Sequence, residues 1–571
     1  MTMNSQKIAA IFHDMANILE IKGANVFRVR AYQKAAQNIE SLGGELDDYL
    51  RQDKLKEIPG IGEDLAEKIK EYYRTGKIRA YQQLQNSIPQ GLLAILDIPS
   101  VGPKTAKLLY EKLKVKSIPD LEKAIRKNKL RGIFGIKDKT IENILKGIAL
   151  VKRGKERMTI AQAAQAADEF LGYLKNLPQI KKISLAGSLR RQKETVRDID
   201  ILVISHDPDK VMDAFVNFPG TREILAKGRT KSSLRTNQDV QVDCRVVEAS
   251  SFGAALLYFT GSKNFNIKLR QLAIKKGLKI NEYGVFKGDK FLAGGSEEEI
   301  FKVLGMDYIE PELREDNGEI ELARRSRLPR LIQLSEIKGD LHAHSLWSDG
   351  GNTIEEMALA ARERGYAYIA ITDHSQSLKV ANGLSVAELK KKKSQIDKLN
   401  AKLKNFRVLY GTEVDITSEG AIDYPQGVLA EFDIVVAAVH TGFKQSRQQL
   451  TRRIIRACQN KFVHIIAHPT GRLWGLREPY DIDLEEVFKV AAQTNTHLEI
   501  NSFPQRLDLN DHNCRFAKEK GVKFSIGTDS HETAQLASMK FGVSVARRGW
   551  LGKEDVINTL PLEKLLKEIK K

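Results

Sequence analysis

LAGSLRRQKETVRDIDILVIS, residues 185–205, decides how the first half of the chain is read. Its closing DIDILVIS sets two aspartates, Asp198 and Asp200, into an apolar strand-like run. Residues i and i+2 of a strand share a face, so both carboxylates project together. Two neighbouring acids in such a run are costly unless cations compensate them. VQVDCRVV, residues 240–247, brings a third carboxylate, Asp243, from another strand. Three acids can hold two hard cations, two Mg2+ ions, which suits an in-line phosphoryl displacement. Gly187 and Ser188 at the head of the stretch would offer a backbone N–H and a hydroxyl to a phosphate group, and Arg191 its charge. An Asp-x-Asp on its own is more often a solvated strand edge, so the neighbouring segments carry the distinction.

Upstream, residues 1 to about 150 read as short helices broken by glycine turns. LKEIPGIGEDLAEKIKEYY (55–73) and LDIPSVGPKTAKLLYEKL (96–113) align as helix, Pro-x-x-Gly turn, helix, and LRGIFGIKDKTIENILKGI (130–148) is a weaker third copy. The first copy keeps Gly60 and Gly62; the second has Ser100 in place of the first glycine, then Gly102 and Lys104; the third has Lys137 where the second glycine belongs. A glycine turn entering a helix presents free backbone N–H groups to a phosphate, a contact that positions a nucleic acid without reading its sequence. These segments resemble helix-hairpin-helix elements.

The charge agrees. Lys+Arg of 92 against Asp+Glu of 73 gives +19, and residues 101–200 alone hold 24 basic and 11 acidic side chains. A localised excess of this kind fits a polyanionic partner. Cys244, Cys458 and Cys514 lack paired spacing, so neither a disulfide framework nor a cysteine zinc site is expected. The N-terminus has no signal-like apolar segment, and no run is long enough for a membrane span. The expectation is a cytoplasmic, monomeric protein with no membrane partner.

Downstream of the aspartates comes YFTGSKNFNIKLRQLA (258–273). With the Gly-Ser turn and the three acids, this segment makes residues 1 to about 315 resemble a family X DNA polymerase of the beta type. The resemblance implies that Asp198, Asp200 and Asp243 bind the catalytic metals and that Ser188 and Arg191 contact the triphosphate. It also implies that Tyr258, Phe259 and Gly261 lie beside the nucleotide sugar, and that Asn266 and Arg270 reach the minor groove of the base pair. The expected partners are gapped or primer-template DNA and deoxynucleoside triphosphates. Arg197, Gln241 and Lys263 depart from the family pattern, which has a glycine, an arginine and an aspartate there. Lys68 occupies the place of the family's Schiff-base lyase lysine, but Asp64 stands where a supporting lysine would and Phe27 where a histidine would. A neighbouring carboxylate favours the charged, non-nucleophilic amine, so a phosphate-contacting or solvated lysine is the competing reading.

The C-terminal half has its own signal. Nine of the 11 histidines lie beyond residue 340. GDLHAHSLWSDG (339–350) gives His342, His344 and Asp349; YIAITDH gives His374, VLYGTEVDI Glu413, IVVAAVH His440, VHIIAH His468, and FSIGTDSH Asp529 and His531. Regular alternation of strands and helices predicts a parallel barrel, in which the carboxyl ends of all strands meet on one face. Residues so scattered would then converge as a multinuclear metal site.

This half resembles the PHP domain, named for polymerases and histidinol phosphatases. The resemblance implies a trinuclear site of Mn2+, Zn2+ or Fe ions that hydrolyses phosphoesters. Arg472 and Arg506 are candidate phosphate clamps. The polar segment 312–335 reads as the connection to this half. The expected domains are a helical N-terminal domain (1–85), a fingers-like helical domain (86–155), an α/β nucleotidyltransferase palm (156–245), a thumb-like domain (246–315), a linker (316–335) and a distorted (β/α) barrel PHP domain (336–571). The expected function is gap filling in DNA repair joined to 3′–5′ exonuclease or 3′-end phosphoesterase action. A non-templated nucleotidyltransferase, and an inert metal-stabilised barrel, are the alternatives.

Overall fold

The computed structural model describes residues 3–42, 46–89, 91–98, 101–133 and 135–570. The backbone falls into two compact units: Met1–Lys155 with Ser345–Thr353 and Leu473–Glu478, and Glu156–His344 with Ile354–Arg472 and Pro479–Lys571.

The first unit is helical. Met3–Ile21, Val26–Leu42 and Glu63–Thr75 bury Phe12, Tyr32, Ile39, Leu65 and Ile69 in one cluster. A second cluster gathers Leu92, Leu109, Leu121 and Ile144, with Pro103–Leu113, Ile118–Arg126 and Asp138–Glu156 contributing. The two glycine turns work alike. Gly62 caps Glu63–Thr75 and Gly102 caps Pro103–Leu113, both in extended backbone and without a side-chain cap bond. The first N–H groups of each helix are thereby left for an outside acceptor. Gly60 turns the chain at φ +80°, a conformation that favours glycine. Ser100 lies outside the described residues.

In the second unit, helix Ile160–Lys175 precedes a five-stranded sheet: β1 (Ile180–Leu185), β2 (Asp198–Ser205), β3 (Thr221–Lys227), β4 (Lys231–Thr236) and β5 (Gln241–Val247). The spatial order is β1-β2-β5-β4-β3, with β2 and β5 parallel and the other pairs antiparallel. Leu202 of β2 packs with Phe252 and Ala255 of helix Phe252–Thr260. Asp198 and Asp200 share the face of Leu202, so the acids project toward that helix's side of the sheet. Helices Lys263–Lys275 and Glu297–Val303 and a small antiparallel sheet (Lys279–Asn281, Gly284–Lys287, Lys290–Ala293) follow.

The segment expected to be a linker, 316–335, is packed instead. It forms helix Glu319–Ala323, and Ile320, Ala323 and Leu331 join the cluster of Phe301, Leu304 and Trp550. Its charges hid this in the sequence because they are satisfied within the fold: the buried Glu319 carboxylate accepts from the N–H groups of Asp316 (2.8 Å) and Asn317 (2.7 Å).

The remainder is a seven-stranded parallel sheet in chain order: β6 (Gly339–Ala343), β7 (Tyr368–Ile371), β8 (Arg407–Asp415), β9 (Ile434–Ala438), β10 (Ile465–Ile466), β11 (His497–Asn501) and β12 (Phe524–Gly527). Helices such as Val386–Lys402 and Arg447–Gln459 separate consecutive strands. The first and last strands meet just beyond their ends, where His344 N donates to Ser530 O (2.8 Å) and Asp529 N to His342 O (2.9 Å). The sheet is thus a nearly closed barrel with Leu341, Leu409, Val436 and Ile465 in its core. Among the described residues, no helix is long and apolar enough to cross a membrane.

Candidate active sites

In the palm, β2 and β5 run parallel with Asp200 directly beside Asp243. Gly187 is at φ +63°, and a Cβ there would lie 2.0 Å from Asp200 Oδ2. The glycine is therefore required both for the turn and for the close approach of the carboxylate. Burial, then the charges of Asp198 and Asp243, push the Asp200 carboxyl up to about 7, while Arg245 and Arg191 pull the other way. A carboxyl so raised beside two further acids fits a cation site, where arriving positive charge would favour the Asp200 carboxylate. Gln241, one of the departures from the family pattern, donates to Asp243 Oδ1 (3.2 Å).

Ser188 sits half-buried on the one-turn helix Gly187–Arg190. Arg191 reaches from this turn to Glu315 Oε1 (3.0 Å) and to the carbonyl of Thr260. Gly261, at φ +70°, leaves room for that guanidinium. Tyr258 and Phe259 meet edge to face, and Arg245 lies over the Phe259 ring at 4.2 Å. Asn266 Nδ2 donates to Tyr258 O (2.7 Å), and Arg270 Nε to Asn266 O (3.3 Å), so the two side chains line one face of Lys263–Lys275. Sequence reasoning missed Arg245 and Glu315. The first had a signal, since it is two residues beyond Asp243 on the same face.

In the helical unit, Gly60, Gly62, Gly102 and Lys104 are exposed. Lys68 Nζ is bound to Asp64 Oδ1 at 2.5 Å, the neighbour foreseen from the sequence. Phe27 is 76% exposed.

In the barrel, the strand ends converge. The ligand atoms of His342, His344 and Asp529 lie within 4.8 Å of one another, as do those of His374, Glu413 and His440. Glu413 is the hub: its Oε2 is 3.0 Å from His374 Nδ1 and 3.3 Å from His342 Nε2, and its Oε1 is 3.0 Å from His468 Nε2 and 3.2 Å from His440 Nε2. His531 stacks on His344 with ring centroids 4.3 Å apart. Asp349 belongs to the 345–353 segment of the first unit, where Ser348 Oγ donates to its Oδ1 (3.3 Å).

A cation fits this donor set. His342 Nε2 and His344 Nε2 point at each other across 3.2 Å, and His468 Nδ1 is buried with no hydrogen-bond partner among the described residues. Burial opposes the charge of His440, but Glu413 and Asp415 outweigh it and push the imidazole up to about 10; burial and then Arg506 bring His468 down to about 4. The mixture of nitrogen and oxygen donors suits the borderline ions.

Behind the ring stand residues that sequence reasoning missed. Glu499 accepts from His342 Nδ1 (2.6 Å) and from His468 N (2.8 Å), Asp415 binds His440 Nδ1 (2.5 Å), and Asn501 donates to Asp529 Oδ2 (3.1 Å). Such partners fix a ring's tautomer and orientation. Asp415 and Glu499 had the same signal as the others, an acid near the carboxyl end of a barrel strand.

The two arginines separate. Arg506 Nε is 3.3 Å from Asp529 Oδ2, and its Nη1 is buried with no hydrogen-bond partner among the described residues, as a clamp awaiting an anion would be. Arg472 is otherwise engaged: its guanidinium is taken up by Glu194 of the palm and by the carbonyls of Arg506 and Leu507. Four of its five N–H donors are thus taken within the fold, whereas Arg506 keeps a buried Nη1 without a partner among the described residues.

Family models match along the chain: a helix-hairpin-helix domain at residues 3–78, a SAM-like helix-hairpin-helix tandem at 92–149, a DNA polymerase beta thumb at 255–315 and a PHP domain at 340–503. The chain is 40% identical over 565 residues to a DNA polymerase/3′-5′ exonuclease PolX of Bacillus subtilis, covering 98% of each. Its C-terminal part is 30% identical over 229 residues to a probable phosphatase of Syntrophotalea carbinolica, covering 38% of this chain and 90% of that protein. Over 333 residues the chain is 26% identical to the DNA polymerase lambda of Rattus norvegicus, covering 53% of this chain and 54% of that one. Together with the palm acids and the barrel's ring of histidines, the full-length match places the chain in the family X DNA polymerases that carry a C-terminal PHP domain.

Proposed function

We propose that the chain fills short gaps in DNA during repair, adding deoxynucleotides against a template in the palm, and that its barrel trims 3′ ends as a 3′–5′ exonuclease or 3′-end phosphoesterase. Asp198, Asp200 and Asp243 would hold two Mg2+ ions and the barrel residues three Mn2+, Zn2+ or Fe ions, which supply Lewis-acid stabilisation of phosphoryl transfer when bound. Ser188 and Arg191 bind the triphosphate. Tyr258, Phe259 and Gly261 border the sugar, and Asn266 and Arg270 reach the minor groove of the base pair. The glycine-capped helices at Gly62 and Gly102, with Gly60 and Lys104, hold the DNA backbone at phosphates, independent of sequence.

In the barrel, His342, His344, Asp349, His374, Glu413, His440, His468, Asp529 and His531 form the ligand set, and Arg506 orients the substrate phosphate beside Asp529. Glu499 and Asp415 hold the imidazoles of His342 and His440 in place. Lys68, tied to Asp64, is read as a phosphate-contacting lysine rather than a lyase nucleophile.

The observation that carries the polymerase reading is the Asp200 and Asp243 pair, with Gly187 packed against the Asp200 carboxylate. Primer extension decides between templated and untemplated addition. Incorporation of the complementary nucleotide on 5′-phosphorylated gapped DNA, and little on the same primer alone, is expected; equal addition to single strands would make the enzyme a terminal transferase instead.

A further inference from the structure

The turn that carries Ser188 and Arg191 is gripped from the barrel. Arg548, the last residue of helix Met539–Arg548, donates from Nη1 to the carbonyl of Arg191 (2.8 Å). One turn earlier in that helix, Ser544 Oγ donates to Gln192 Oε1 (2.9 Å). Arg548 Nη1 is also 3.2 Å from Glu315 Oε1, the same oxygen that accepts from Arg191 Nε at 3.0 Å. A single carboxylate oxygen is therefore shared by a guanidinium of the palm and one of the barrel, with the Lys193 ammonium 3.9 Å away. Arg548 is anchored from behind by Asp511, Nη2 to Oδ2 2.7 Å, and its side chain is 4% exposed.

We propose that Arg548 is a positioning residue for nucleotide binding in the palm: by taking a share of Glu315 and fixing the Arg191 carbonyl, it keeps the Arg191 guanidinium available to the incoming triphosphate. A carboxylate that neutralises an arginine competes with the phosphate for it, and in a half-buried setting that competition is strong. Without Arg548, the whole charge of Glu315 falls on Arg191 and Lys193. The partners of Arg548 are Asp511, Glu315 and the carbonyls of Arg191 and Glu312, all outside the nine barrel residues proposed as ligands. The barrel then serves the polymerase through a contact separate from its own chemistry. The inference rests on the reading of Arg191 as a triphosphate contact.

Steady-state incorporation on gapped DNA by the full-length chain tests it. In Arg548→Gln the KM for the nucleotide should rise about tenfold with kcat changed less than about twofold. Arg548→Lys, which keeps the charge, should recover part of the loss. Adding Glu315→Gln to Arg548→Gln should return KM toward the parent value, because the competing carboxylate is gone; a purely structural defect would be worsened by the second change. An unchanged KM in Arg548→Gln, or no recovery in the double variant, would overturn the proposal. If Arg548→Gln also loses manganese-dependent trimming, its fold is damaged, and Arg548→Lys with and without Glu315→Gln decides by the same criterion. Arg191→Ala separates the two levels: if it leaves KM unaltered, the reading of Arg191 is at fault, and if it raises KM while the Arg548 variants do not, only the present inference fails.

Discussion

Glu194 of the palm and Arg472 of the barrel are joined as an ion pair, Nη2 to Oε2 2.5 Å and Nη1 to Oε1 3.2 Å, with the arginine side chain 11% exposed. Glu194 is four residues before Asp198 and Arg472 four beyond His468, so each partner comes from the loop beside its own site. Arg472 Nε further donates to the carbonyl of Arg506 (2.7 Å), whose guanidinium lies on Asp529. Removing Glu194 leaves the largely covered Arg472 guanidinium without its countercharge. A double-mutant cycle with Glu194→Ala and Arg472→Ala, followed by denaturant unfolding, should give a coupling of about 1 to 3 kcal/mol. Additive effects would mean the pair contributes nothing to holding the two loops.

Gly187→Ala addresses the palm turn. The substitution meets both a positive φ and the Asp200 carboxylate 2.0 Å from the new Cβ. Displacing Asp200 by about an ångström should lower nucleotide incorporation about 100-fold or more while trimming continues. Incorporation within a few-fold of the parent would show that the carboxylate position is not critical.

Glu297 of the thumb joins Arg314 and, from the palm turn, Arg190 in a buried charge cluster. Burial alone would raise the Glu297 carboxyl, but Arg314 and then Arg190 outweigh it and bring the group down to about 2 from an ordinary 4.5. A depressed carboxylate contributes stability that is full above about pH 4.5 and is lost as pH falls toward about 2. Arg314 is fully buried, so Glu297→Gln should cost about 3 to 5 kcal/mol at neutral pH. The gap between variant and parent should narrow in acid, as followed by unfolding at stepped pH, and a gap independent of pH would refute the assignment.

Metal loading of the barrel should release protons. The His440 imidazole is pushed up to about 10 by Glu413 and Asp415 against the opposing effect of burial, so at neutral pH a cation must displace its proton. The manganese concentration for half-maximal trimming should therefore fall as pH rises, by up to about tenfold per unit for one displaced proton. A requirement that stays constant across neutral pH would mean the site is already deprotonated.

Much of this was legible in the sequence, for a physical reason. The acids of β2 and the histidines at the barrel strand ends sit next to apolar runs whose periodicity fixes the strand and therefore the direction of each side chain. Glu499 and Asp415 obey the same rule, but an acid is too common a residue for its place after an apolar run to stand out as a histidine's does. The engagement of Arg472 and the packing of the 316–335 segment left no such mark: their partners, Glu194 for the first and the thumb residues with Trp550 for the second, lie far away in sequence. Nor does any local pattern reveal that Glu315 is shared between Arg191 and Arg548. Contacts across domain faces depend on docking, which leaves no period in either segment.

The central claim, two separate chemistries on one chain, is tested most directly by assaying one 5′-phosphorylated gapped substrate with Asp198→Ala and with the His342→Ala, His344→Ala pair, first in magnesium and then in manganese. The account predicts that Asp198→Ala abolishes filling and still trims, and that the histidine variant fills and no longer trims. Full synthesis by Asp198→Ala, or trimming that persists without both histidines, would contradict it.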